Sequence, residues 1–164
     1  MADDILPGDT QAQGEAGPQL RILTQYIKDL SFENPNVPRT LGPLEHQPAI
    51  GVRVDVNVQR FSETDFEITL AIGVDAKTNE EQMFLVELQY SGLFRLTNIP
   101  ADSLEPVLLI ECPRQIFPFA RRIIADATRD GGFPPLLIDP IDFVTLFQQR
   151  RGDLSGAPEG TMPN

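Results

Sequence analysis

Gly51-Val-Arg-Val-Asp-Val-Asn-Val-Gln-Arg60 alternates valine with a polar residue at every step from Val52 to Val58. Successive side chains of a strand point to opposite faces, so the valines line one face and Arg53, Asp55 and Asn57 the other. The pattern returns twice. Phe66, Ile68, Leu70, Ile72 and Val74 alternate with Glu67, Thr69 and Asp75, and Phe84, Val86, Leu88 and Tyr90 alternate with Leu85, Glu87 and Gln89. The polar links SET and AKTNEEQ suit hairpin turns. Three strands on short links form an antiparallel meander with one covered face and one wet face.

Upstream, residues 20–33 (LRILTQYIKDLSFE) fit either helix or strand, and Thr24, Tyr26, Ile27 and Phe32 lean towards strand. Next comes NPNVPRTLGPLEHQP, with Pro35, Pro38, Pro43 and Pro48. It is too long for a tight turn and too short of donors for a sheet, so it reads as a crossover or functional loop.

Downstream of Pro100 the period changes. Ser103 to Ile110 reads as a short helix or turn. From Pro113 to Asp130, Ile116, Phe119, Ala120, Ile123, Ile124 and Ala127 make the stripe of an amphipathic helix. Pro118 is expected to kink that helix or mark its effective start, and Gly131-Gly132 to close it in a left-handed cap. A last helix is expected from Asp139 to about Arg151, with Asp139 as cap, Pro140 in the first turn and Phe143, Leu146, Phe147 and Arg150 on one stripe. Strands followed by helices give an α+β fold: an antiparallel sheet with helices on one face.

The chain has 164 residues, which fits one domain able to bury roughly 70% of its unfolded surface. Residues 1–19 read as a disordered acidic leader, 20–151 as the single domain and 152–164 as a flexible tail. Thirteen Lys and Arg against 24 Asp and Glu leave a net charge of −11. Nucleic acids and anionic lipids need a basic footprint, so neither is an expected partner; a basic or metal-bearing partner is. Cys112 is the only cysteine and His46 the only histidine, which excludes an internal disulfide and a His/Cys zinc site. The N-terminal MADDILPGDT lacks the pattern of a signal peptide, and no apolar run has transmembrane length, so a cytoplasmic protein without membrane insertion is expected.

Catalytic spacing is missing. There is no G-x-S-x-G, phosphate-binding glycine loop, G-x-G-x-x-G or H-E-x-x-H. Asp55 and Glu67 are the carboxylate pair that adjacent strands would bring together for acid/base work, and Glu111-Cys112 has no neighbouring base to make a thiolate. No enzymatic activity and no cofactor are expected. What remains is surface: an acidic sheet face with Asp29, Glu33, Asp55, Glu67, Asp75 and Glu87, and apolar positions Val37, Leu41, Leu44 and Ile50 in the crossover with Phe143 and Phe147 in the last helix. The latter fit a groove for extended apolar segments, or simply a core. A free edge at 20–33 and the striped helix favour an oligomer.

Several motifs in order resemble the SecB family of export chaperones: Tyr26-Ile-Lys-Asp-Leu-Ser-Phe-Glu-Asn-Pro-Asn-Val-Pro38, Phe84-Leu-Val-Glu-Leu-Gln-Tyr-Ser-Gly-Leu-Phe94, Cys112-Pro113, Phe117-Pro-Phe-Ala-Arg121, RDGGFP at 129–134 and DPIDFVTLF at 139–147. The resemblance spans about residues 20–150 and implies a four-stranded antiparallel sheet with helices on one side, assembled as a homotetramer (a dimer of dimers). It also implies an ATP-independent holdase that keeps precursor proteins unfolded and delivers them to the translocase ATPase SecA. By motif, Leu41, Leu44, Phe143 and Phe147 would edge the substrate groove. Asp29, Glu33, Leu85 and Glu87 would receive SecA's zinc-bearing C-terminal segment, the zinc being the partner's. Ile116, Phe119, Ile123 and Ala127 would pack between dimers. Arg121-Arg122 adds charge to that helix for which the resemblance gives no role. The other reading of the same surfaces is an oligomeric binding domain for a small apolar ligand.

Overall fold

A computed structural model describes residues 16–79 and 81–155. Residues 1–15 of the expected leader and 156–164 of the expected tail lie outside them. The strands are β1 (Gln19–Glu33), β2 (Ala49–Arg60), β3 (Asp65–Thr78) and β4 (Glu81–Thr97), all antiparallel in the order β1-β4-β3-β2. The expected meander is β2-β3-β4. The ambiguous segment 20–33 is a strand at the far edge, paired with β4. The crossover must therefore carry the chain across three strand spacings, about 14 Å, which accounts for its length. It is tied down as it passes: Asn34 Nδ2 donates to the Gly131 carbonyl and Asn36 Nδ2 to the Gln82 carbonyl, each at 2.9 Å.

The β3–β4 turn is tighter than its polar link foretold, while the β2–β3 link runs over residues 61–64. β3 and β4 keep pairing to Thr78 opposite Glu81, and Asn79 takes φ 46°, a left-handed conformation asparagine tolerates. The alternation of β3 and β4 sets the core. Phe66, Ile68, Leu70, Ile72 and Val74 lie opposite Phe94, Gly92, Tyr90, Leu88 and Val86, and this face is buried.

Helix α1 (Ala101–Pro106) runs through a π-helical turn (Val107–Glu111) into α2 (Cys112–Asp130). Pro113 has no N–H to donate, and the turn before it widens so that the Cys112 N–H reaches the Val107 carbonyl. Pro118, expected to kink or start the helix, lies inside α2. At the far end Gly132, not Gly131, takes the positive φ (93°), while the Gly132 and Phe133 N–H groups bond the Arg129 and Thr128 carbonyls in a Schellman closure.

Two further expectations are corrected. Helix α3 (Phe143–Ser155) starts four residues after Asp139; its cap is Asp142, whose Oδ1 accepts the Thr145 N–H at 3.0 Å and whose Oδ2 accepts the Thr145 hydroxyl at 2.8 Å. These bonds to the charged form hold the Asp142 carboxyl below its usual range. The helix also runs past Arg151, so residues 152–155 of the expected tail are helical.

The stripe of α2 divides. Ile116, Ala120 and Ile124 are fully buried on the sheet, whereas Phe119 is 44% exposed and Ile123 and Ala127 are half-buried. Ile116 is thus part of its own chain's core and not of an oligomer contact. Ile116→Ala is expected to cost about 2–5 kcal/mol in chemical denaturation, while Phe119→Ala stays within about 0.5 kcal/mol for the isolated fold.

Candidate functional site

Two surfaces emerge, one on each side of the sheet. On the helix side a cavity of about 420 Å³ opens beside β2, lined by Leu41 and Leu44 of the crossover, Ile50, Phe84, Phe133 and Leu136. Leu41, Leu44 and Ile50 are each more than 40% exposed. Across Leu41 lies a second concavity of about 490 Å³ with Phe32, Val37 and Ala127. Ala127, expected at an oligomer contact, therefore faces this hollow.

The two phenylalanines expected beside Leu41 and Leu44 are elsewhere. Phe143 is 1% exposed and packs edge-on against Phe117, with ring centroids 6.1 Å apart. It is core, because the helix starts at this residue and drives its first side chain inward. Phe147 sits in a separate hollow of about 390 Å³ with Val56, Leu109, Leu146 and Arg150. The wall opposite the crossover is built by the segment after α2, Phe133 to Leu136, which sequence reasoning missed. Its signal was FPPLL, an apolar run held out of helix and sheet by two prolines. Its anchor is Thr128, fully buried, whose Oγ1 accepts the Leu136 N–H at 2.9 Å.

The outer face is built by register. β1 places Asp29 opposite Gln89, Ser31 opposite Glu87 and Glu33 opposite Leu85, so Asp29, Glu33, Leu85 and Glu87 share one patch. Asp75, opposite Leu85 on β3, extends it. Arg53 Nη2 reaches Glu87 Oε1 at 3.0 Å across Gly73, where a Cβ would lie 2.7 Å from the same nitrogen. Both partners are exposed, so the pair is worth at most about 1 kcal/mol and yields readily to a competitor.

Asp55 and Glu67 do not meet. Asp55 lies opposite Ala71 and Glu67 opposite Gln59, four residues apart along the ladder, about 13 Å. Glu67, expected to be solvated, is only 7% exposed. Lys28 Nζ donates to its Oε1 at 2.8 Å and the Tyr26 hydroxyl to its Oε2. Burial alone would raise the Glu67 carboxyl, but those two donors outweigh it and hold it below the usual range. Tyr26 is pushed up to about 12 by burial and by the carboxylate it donates to. Cys112 is fully buried, and burial with Glu111 beside it pushes the thiol up to about 12, so it is no nucleophile. Among the described residues no group of three or more His, Cys, Asp or Glu is placed to hold a metal, and no helix is long and apolar enough to cross a membrane.

The family described as "Preprotein translocase subunit SecB" matches residues 13–153. The chain belongs to the SecB family of protein-export chaperones. The protein-export protein SecB of Parvibaculum lavamentivorans is 62% identical over 157 residues, 96% of this chain and 94% of that one. SecB of Methylocella silvestris is 52% identical over 146 residues, 89% of this chain and 91% of its own. Among solved structures, a SecB-like chaperone of Mycobacterium tuberculosis in complex with an antitoxin peptide superposes with a TM-score of 0.62 at 12% identity, over 74% of this chain and 90% of that one. That likeness concerns the fold: a SecB-type antiparallel sheet with helices.

The paired titrations give a pH signature. Glu67, held low in the fold, contributes stability that is present above its unfolded value near ~4.3 and lost as pH falls through the folded one. Tyr26, held high, contributes stability that is whole below about 10 and declines as pH rises towards 12. Thermal unfolding followed against pH is expected to lose part of the alkaline slope in Tyr26→Phe, the buried Cys112 thiol and Tyr90 keeping the rest, and to lose part of the acid slope in Glu67→Gln.

Proposed function

We propose that this SecB protein is an ATP-independent holdase of the cytoplasm that keeps precursor proteins unfolded and passes them to SecA, with no catalytic step of its own. The observation that carries the reading is the exposed apolar strip beside β2. Ile50, Val52 and Val58 are each about two-fifths exposed on the helix-side face of the edge strand, and Leu41 and Leu44 overhang its start. Further along, Leu104, Leu108 and Leu154 line another hollow of about 430 Å³ with Val58. From Ile50 to Val58 these exposed positions span about 26 Å, interrupted where Val56 is covered, and a row of separate apolar sites along a strand suits an extended chain of several residues better than one small molecule. Leu41 and Leu44 are the groove residues this reading keeps, joined by Ile50, Phe133 and Leu136, with Phe147 further along.

Asp29, Glu33, Leu85 and Glu87 form the docking patch for SecA's zinc-bearing C-terminal segment. An acidic plate around a half-buried leucine suits a cationic partner. A homotetramer is supported by what α2 and β1 leave uncovered: Phe119 and Ile123 on the helix, and Ile27 and Leu30 on an edge strand, 48% and 42% exposed.

The test is the refolding of a slow-folding precursor without nucleotide. The protein is expected to arrest it in a dose-dependent way and to ignore the native form. Leu44→Ser with Ile50→Ser is expected to weaken client binding about tenfold, the loss of roughly half the burial energy of two aliphatic side chains. Asp29→Asn with Glu33→Gln is expected to weaken SecA binding by a similar factor and leave the arrest unchanged. Refolding that proceeds untouched at saturating protein removes the holdase reading and favours a small apolar ligand in the 420 Å³ cavity.

A further inference from the structure

The acidic patch has a cation at its margin, and the fold keeps that cation occupied. The β1–β4 register slips between Ile27 and Asp29, which makes Lys28 the extra residue of a bulge. In a regular strand Lys28 and Asp29 would point to opposite faces. Here both serve the outer face: Asp29 lies opposite Gln89, and the Lys28 ammonium reaches across β4 to Glu67 on β3. The lysine is therefore the nearest positive charge to Asp29 along the chain. Among the described residues neither Asp29 nor Glu33 forms a salt bridge of its own.

Glu67 is well suited to hold the lysine. It is 7% exposed, and a buried carboxylate without a counter-ion is strongly unfavourable. Its two oxygens are assigned separately, Oε2 to the Tyr26 hydroxyl and Oε1 to Lys28. Tyr26 thus turns the carboxylate so that one oxygen faces the ammonium. Lys28 keeps a side chain 40% exposed, so only this pairing keeps it from swinging over its neighbours.

We propose that Glu67 is a positioning residue for the docking patch: it holds Lys28 as an internal counter-ion and so prevents the lysine from neutralising Asp29. The inference rests on the reading of Asp29 and Glu33 as the docking site for SecA. On this view the buried pair preserves the negative field of the patch, and the bulge exists to direct Lys28 towards Glu67.

The test uses the full chain and the zinc-loaded C-terminal segment of SecA as probe, with affinity measured at low and high salt. Glu67→Gln retains an acceptor for Tyr26 and the shape of the side chain but releases Lys28. It is expected to bind the probe about fivefold more weakly at low salt, with the deficit shrinking at high salt as the freed charge is screened. Adding Lys28→Met to Glu67→Gln is expected to restore affinity to within about twofold of the parent, and precursor refolding is arrested by all three proteins alike. The proposal is overturned if Glu67→Gln binds as tightly as the parent. It is equally overturned if the double variant stays as weak as the single one, since the loss is then a distortion of β1 rather than a misplaced charge. Asp29→Asn separates the two layers: if it binds the probe like the parent, the docking reading fails and takes this inference with it.

Discussion

One helix cannot cover four strands, and most of what is distinctive in this molecule follows from that mismatch. An α-helix with its side chains is about 10–12 Å across, whereas four strands at about 4.8 Å spacing present a face nearer 20 Å wide. Helix α2 settles over the middle, where β3 and β4 offer Ile68, Leu70, Ile72, Leu88 and Phe94, all essentially inaccessible to solvent. The outer strands keep the same alternation but receive partial cover. In β2, Val56 is 3% exposed under the π-helical turn and α3, while Val52 and Val58 on the same face are 43% and 39% exposed. In β1, Ile27 and Leu30 are left in a similar position. A monomer that buried these residues would need a second long helix. This chain spends the corresponding length on a proline-rich crossover that overhangs the uncovered margin without sealing it.

Among the described residues no helix covers the other side of the sheet, so its chemistry is set by register. Antiparallel pairing brings residues far apart in sequence into one row, and the patch of Glu33, Leu85 and Asp75 is such a row. Two small residues make it workable. Gly73 leaves room for Arg53 to reach Glu87, and fully buried Ser91 bonds Thr69 at 2.7 Å beneath the side chains that cross from β1 to Glu67. Charge near this face is thus partly paired in advance, with the surplus concentrated at the β1 edge.

How legible this was depended on whether a local period survived. β2, β3 and β4 could be read directly, because an unbroken alternation over eight or more residues has one structural meaning. β1 could not, since two bulges shift its phase after Ile22 and again after Ile27, so that its apolar residues fall at Leu20, Ile22, Leu23, Ile27, Leu30 and Phe32 with no single period. The stripe on α2 was found as a pattern but could not be divided: periodicity shows that Ile116 and Phe119 share a side, not that one meets the sheet and the other leaves it. The same blindness affected Phe143 and Phe147. Both lie on one helical stripe and both are buried, and only the start of α3 at Phe143 decides that the first packs on Phe117 while the second closes a separate hollow. Glu67 reads as solvated from sequence because nothing local announces partners 39 and 41 residues away. The motif resemblance supplied what periodicity could not reach: the count of four strands and the positions proposed for docking.

A protein that leaves apolar strips open along both sheet edges invites its own aggregation, so the placement of charge matters as much as its amount. A net charge of −11 opposes self-association at long range, but charge interspersed along the groove would also repel the apolar segments the groove is suited to hold. The sheet resolves the conflict by its two faces. Period-two alternation sends aliphatic side chains to the helix side and Asp29, Glu33, Asp75 and Glu87 to the other, a strand's thickness away. Repulsion and apolar contact then act from opposite sides of the same strands. A cationic partner on one face need not disturb a chain held on the other, and the two surfaces come closest at β4, where Phe84 lines the cavity and the next residue, Leu85, lies in the acidic patch.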